Sequence, residues 1–165
     1  RLLQMKYEDL LKVKGIDSAK ATTLLAAFEL AKRALDVNDT NLPTIGDAKD
    51  ALAQLTDLRN LKKEHFVALY INARNKLIYK ELISVGTLTA NLVHPREVFE
   101  PAMVRASTEI IVAHNHPSGD PEPSGADLEI TKRLIEAGKI LGIKVLNHLI
   151  ITKENHFSFK DKGLI

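Results

Sequence analysis

The chain contains no cysteine and no tryptophan, and only five Phe and three Tyr. Without cysteine there are no disulfides and no thiolate ligands, a composition that fits a reducing cytoplasm. It also excludes zinc deaminases, whose metal is held through P-C-x-x-C. No apolar run approaches the ~20 residues that cross a bilayer, and the N-terminus has no secretory signal's apolar core. A membrane partner is therefore not expected. Charge of one sign is scarce as well: 23 Lys and Arg stand against 21 Asp and Glu, a net +2. That is too little to argue for nucleic acid across the whole chain. There is no H-E-x-x-H, no Walker-type phosphate loop, no G-x-S-x-G elbow and no internal repeat. The string His114-Asn115-His116 is not an HNH nuclease signature, since that name refers to residues dispersed across a larger motif.

What is present is enough for one good core. At 165 residues and 45% hydrophobic, the chain can bury a single domain plus a small appendage. Residues 1–35 hold seven Lys/Arg and four Asp/Glu, and residues 36–165 hold sixteen and seventeen. The small N-terminal piece is the basic one. Arg1 stands where a methionine would begin a chain, inside what reads as a structured segment, so a piece of a longer protein is expected.

Chemistry concentrates in Ala113–Asp127, AHNHPSGDPEPSGAD. Two imidazoles and a carboxylate, His114, His116 and Asp127, make a good first shell for zinc, and three protein ligands leave a fourth position open for water. If Glu109–Ala113 is a strand, alternation sends both imidazoles to one side. Asp127 then arrives from the far end of a loop stiffened by Pro117, Pro121 and Pro123. A plainer account competes for part of this segment: Ser124-Gly-Ala-Asp127 resembles a capping box opening the next helix. Capping explains Ser124 and Asp127 but not the paired histidines, and the two roles are compatible.

Periodicity places the elements. Tyr7–Val13 and Ser18–Leu35 read as helices around a turn at Lys14–Asp17, with Ser18 as N-cap. That turn looks like half of a helix-hairpin-helix, although Asp17 occupies its usual second glycine. A carboxylate there would repel a phosphate, so only weak DNA contact through residues 1–35 is expected. Residues 36–43 form a linker. A helix is expected at Asp47–Leu55, strands at His65–Asn72 and Lys76–Val85 joined by a hairpin, and a helix at Pro95–Arg105. The strand Glu109–Ala113, the helix Leu128–Leu141 ended by Gly142, and strands Ile143–Thr152 and His156–Phe159 follow. This alternation predicts an α/β fold with a mixed β-sheet sandwiched by helices. His65, His94 and His156 read as surface or packing residues. His148 reads as a hydrogen-bonded core histidine that could support a metal from behind.

The spacing H-x-H-x(7)-S-x(2)-D resembles the JAMM (MPN-plus) metalloprotease superfamily. The wording HNHPSGDPEPSGAD, with VHPREVF at 93–99 and ITKRL at 130–134, resembles the RadC family within it. The likeness runs from about Pro43 to the C-terminus, making 44–165 the expected metallohydrolase domain. It implies a cytidine-deaminase-like architecture, a zinc ion on His114, His116 and Asp127, and hydrolysis of a peptide or isopeptide bond in a protein or peptide substrate. It points to Glu81, in Lys80–Gly86, as general base and acid, facing with Ile83 and Val85. Ser124 would then donate to the oxyanion. One departure is that RadC-like proteins usually carry Leu-Asp-His where this chain has Leu146-Asn147-His148. The family's traditional label is DNA repair, so the competing class is a DNA-associated accessory protein whose zinc is structural or vestigial.

Overall fold

The computed structural model describes residues 6–36, 42–86 and 93–165, which fall into two compact units, 1–42 and 43–165. Residues 37–41 of the expected linker lie outside the described residues. In the first unit, α1 (Tyr7–Leu11) lies against α2 (Ser18–Asp36). The N-cap of α2 is Asp17 rather than Ser18: its Oδ1 accepts from the Lys20 backbone N–H at 2.9 Å. The Ser18 hydroxyl instead accepts from the Tyr7 phenol at 2.8 Å. The carboxylate that looked out of place at a phosphate-facing turn thus has a local task, satisfying a backbone donor that a helix start leaves open.

The second unit is built on one five-stranded sheet in the order β2-β1-β3-β4-β5. Its strands are β1 (His65–Ile71), β2 (Leu77–Val85), β3 (Glu109–Asn115), β4 (Lys144–Ile151) and β5 (His156–Ser158). All neighbours are antiparallel except β3 and β4, which are joined in parallel through α5 (Gly125–Leu141). The sheet is mixed, as the alternation of elements predicts. β1 is central and buried on both faces. Phe66, Ala68 and Tyr70 point to a core shared with α4 (Pro95–Val104) and α5, whereas Val67, Leu69 and Ile71 point to one shared with α3 (Ala48–Ala53). Helices therefore cover both faces. Burying thirteen core residues on one face and eleven on the other supplies the apolar driving force that fixes strand register.

Two glycines shape the passage from α5 into β4. Gly142, at φ +70, closes α5 in the left-handed conformation. Gly138 lets the chain beyond α5 come close, since a Cβ there would overlap the Ile143 carbonyl. β3 also runs further than its apolar stretch suggested, continuing through His114 to Asn115. Among the described residues, no helix is long and apolar enough to cross a membrane.

Candidate metal centre

β3 delivers His114 from a central strand, and pairing of His114 with Phe66 leaves the imidazole fully buried. His116 follows one residue beyond the strand, its backbone N–H donating to the Ile151 carbonyl at 2.9 Å. The two Nε2 atoms meet at 3.0 Å. Asp127 enters from the first turn of α5. Its Oδ1 lies 3.2 Å from His114 Nε2, and its Oδ2 lies 3.6 Å from His116 Nε2. Ligand atoms on a tetrahedral zinc with bonds of about 2.0–2.1 Å stand roughly 3.3–3.5 Å from one another. The observed separations bracket that value, so these three residues fit the ion with little adjustment. The structure brings together the expected set of His114, His116 and Asp127.

Each ligand is also held from behind. His116 Nδ1 lies 2.8 Å from the Asp120 carbonyl, which can only accept, so the ring proton is on Nδ1 and Nε2 offers a lone pair. His114 Nδ1 lies 2.8 Å from His148 Nε2. Asp127 serves two masters. Its Oδ2 accepts from the Ser124 backbone N–H at 2.7 Å and from the Ser124 hydroxyl at 2.6 Å, while Oδ1 faces His114. The capping box and the metal set therefore share Asp127, which serves both at once.

Electrostatics follow from this packing. Burial pushes His114 below its ordinary range, against the opposing pull of Asp127. The Asp127 hydrogen bond raises His116, which is less deeply buried. Burial alone would raise Asp127, but hydrogen bonds from His114, His116 and Ser124 outweigh it and hold the carboxyl well below the usual range. An ionised carboxylate beside two imidazoles, one of them neutralised by burial, suits a divalent cation.

The structure does not bring Glu81 to this centre. Glu81 pairs with Ala68, and Ala68 pairs with Val112. Its strand therefore runs two strand spacings, on the order of 10 Å, from β3. Its charge instead bears on Tyr70, whose phenol is pushed well above its ordinary range by burial, with Glu81 adding to the rise. Burial lowers His114 and the Asp127 hydrogen bond raises His116; beyond Asp127, the carboxylate whose charge adds a smaller upward pull on both is Glu64. Glu64 lies just ahead of β1, two residues before Phe66, the strand partner of His114. Asn115 points to the face opposite His114 and grips this flank. It accepts from the His65 N–H at 2.8 Å and donates to the Leu61 and Lys63 carbonyls at 3.3 and 3.0 Å. A sequence signal for Glu64 existed: it stands two residues before Phe66, at the entry to the strand that pairs with His114. That pairing is non-local, and β2 also offered a carboxylate among apolar neighbours.

The Leu146-Asn147-His148 departure resolves locally. Asn147 faces away from the histidines and is satisfied there: its Nδ2 donates to Ser158 Oγ at 2.9 Å and its Oδ1 accepts from the Lys160 N–H at 3.0 Å. His94 caps α4 by accepting from the Arg96 N–H, and His65 bonds the Lys63 carbonyl.

A mixed sheet between helices, with a two-histidine, one-carboxylate cluster at the end of a central strand, defines an α/β domain of the JAB/MPN-like kind carrying a candidate metal centre. The family model described as "RadC-like JAB domain" matches residues 45–164, and the chain belongs to that family. It is similar to a UPF0758 protein of Bacillus cereus (strain 03BB102), 47% identical over 159 residues, covering 96% of this chain and 71% of the relative. A UPF0758 protein of Bacillus anthracis (strain CDC 684 / NRRL 3495) matches with the same identity and coverage. So does UPF0758 protein BCAH187_A4587 of Bacillus cereus (strain AH187), at 46%.

Proposed function

We propose that this protein is a zinc-dependent hydrolase of peptide or isopeptide bonds acting on a protein or peptide substrate. The observation that carries this reading is the convergence of His114 Nε2, His116 Nε2 and the Asp127 carboxylate at tetrahedral-edge distances, beside an acid that is not part of the cluster. A site built only for structure has no use for that extra acid.

His114, His116 and Asp127 hold the ion, which when bound supplies Lewis acidity to polarise a carbonyl and to acidify water. In place of Glu81, Glu64 takes the part of general base: half-buried and near enough for its charge to act on His114 and His116, it accepts the proton of the attacking water and returns it to the leaving amine. Ser124 has one hydroxyl proton, now given to Asp127 Oδ2. Rotation about its χ1 turns that proton toward the developing oxyanion, while the backbone N–H of Ser124 keeps its own bond to Asp127. Asn115 keeps the Glu64 flank on β3, so base and ligands share one rigid frame.

Metal analysis with cleavage profiling tests this. Purified protein is expected to carry about one zinc per chain, lost in His114→Ala and His116→Ala. Peptide cleavage should appear in the zinc-loaded wild type and vanish in both variants. A zinc content that both substitutions leave unchanged would sink the assignment.

A further inference from the structure

Behind the centre, a run of three buried hydrogen bonds links two of the three ligands without touching the open side. His114 Nδ1 lies 2.8 Å from His148 Nε2, His148 Nδ1 lies 2.6 Å from Thr131 Oγ1, and the Thr131 hydroxyl donates to the Asp127 backbone carbonyl. On the metal-facing side Asp127 Oδ1 stands 3.2 Å from His114 Nε2, so the ring is completed by the two ligand atoms themselves. We propose that His148 and Thr131 are positioning residues that fix the tautomer and ring plane of His114, and the backbone of Asp127, and so raise the zinc affinity of the centre. The inference rests on the reading that zinc occupies this centre, and it is independent of what bond the protein cleaves.

Proton inventory forces the direction of the ring. A backbone carbonyl only accepts, so Thr131 spends its single hydroxyl proton on Asp127. Its oxygen is then an acceptor for His148 Nδ1–H. A neutral imidazole with its proton on Nδ1 carries its lone pair on Nε2, and that lone pair accepts from His114 Nδ1–H. His114 is left with a lone pair on Nε2, the atom facing His116 and Asp127. A carbonyl on α5 thus dictates, three groups away, that the metal-facing nitrogen of β3 is unprotonated.

The ring cannot easily drift. His148 is fully buried, stacked on Phe159 at 4.6 Å and met edge-on by Phe66 at 5.7 Å, and Phe66 also stacks on His114. Thr131 lies one helical turn after Asp127, so both reach the centre from the same face of α5. A histidine retained only for packing would need its nitrogens satisfied, but not by two groups that each hold a metal ligand.

Zinc dissociation constants measured by chelator competition at one pH decide the matter. Thr131→Val keeps the shape and removes the hydroxyl. His148→Phe keeps an aromatic ring between Phe66 and Phe159 and removes both nitrogens. Each is expected to weaken zinc binding by about ten- to a hundred-fold, as loss of groups behind a metal ligand does. Thr131→Ser should recover affinity to within a few-fold of wild type, because it restores the donor. In metal-free protein, nitrogen NMR should find His114 protonated on Nδ1, and this preference should be lost in His148→Phe. If the histidine variant does not fold, the Val and Ser pair at position 131 still decides. Wild-type affinity in Thr131→Val, or His114 protonated on Nε2 in wild type, would overturn the positioning role and leave the zinc reading standing. A wild type that binds no zinc through His114 and His116 would overturn both.

Discussion

Glu64 and Glu81 are both half-buried carboxylates, Glu64 just ahead of β1 and Glu81 within β2, which β1 separates from β3. Glu64 lies two residues before Phe66, the strand partner of His114, and its charge adds an upward pull on both imidazoles that burial outweighs at His114. Glu81 belongs to the neighbourhood of Tyr70. Replacing a base by its amide keeps shape and hydrogen-bonding reach but removes the proton acceptor, a loss worth about 10²–10⁴-fold in turnover. Glu64→Gln should therefore keep its zinc and lose turnover by that factor, whereas Glu81→Gln should stay within a few-fold of wild type. Paired kinetics and metal analysis check this; the reverse order of effects would return the base to β2. Ser124→Ala offers a second test at the same scale. Removing an N-cap side chain costs about 1 kcal/mol of stability, while removing an oxyanion donor lowers turnover by about 10²–10³-fold. Denaturation midpoint and turnover, measured on one sample, separate the two roles, and a variant that is merely less stable would leave Ser124 as a cap.

At the scale of elements, close approach matters more than propensity. The end of α5 and the start of β4 meet where residue 138 has no side chain, with the Ile143 carbonyl and the Phe99 ring against it. Alanine is the better helix former, and on an open helix the substitution would stabilise. Here the added methyl overlaps backbone, and overpacking costs of about 1–3 kcal/mol exceed the propensity gain. Gly138→Ala is thus expected to lower the urea midpoint, and a raised midpoint would refute the contact. Such contacts were not legible in the sequence, although the elements themselves were. Strand boundaries fell within a residue or two because apolar alternation, Pro95 at a helix start and Gly142 at a helix end are local signals. The metal ligands were legible for the same reason, since His114 and His116 are close in sequence and Asp127 opens the next helix. Glu64, the Asn115 clamp and the His148–Thr131 ring depend on strand order β1-β3-β4, which no local spacing encodes. The N-cap at Asp17 was missed for another reason: Ser18 is an equally good capping residue, and only the Tyr7 contact assigns it elsewhere.

For the molecule as a whole, the division at residue 42 and the paired cores of the second unit predict that residues 43–165 should fold alone, and on the proposed reading that unit should still bind zinc. The metal-free form of that unit should carry a specific weakness to acid. Burial pushes His148 well below its ordinary 6.5, with His114 adding to the effect, and burial likewise lowers His114. In the unfolded chain both titrate near 6.5, so below that pH the unfolded state binds more protons than the folded one. The stability contributed by these neutral imidazoles is therefore complete above about pH 6.5 and is lost as pH falls, at up to ~1.4 kcal/mol per pH unit for each proton. His116 runs the other way. Raised by Asp127, it adds stability in acid that disappears as pH rises through its folded value. Two lowered imidazoles against one raised leave a net loss on acidification, and Asp127 joins only below its ordinary 3.8. Urea midpoints of metal-free 43–165 should accordingly fall between pH 7.5 and pH 5, and His148→Phe should show a shallower fall because one of the two acid-sensitive groups is gone. A midpoint that holds steady or rises over that range would mean that the buried imidazoles accept protons in the folded state, and that the ring behind the centre is looser than its geometry requires.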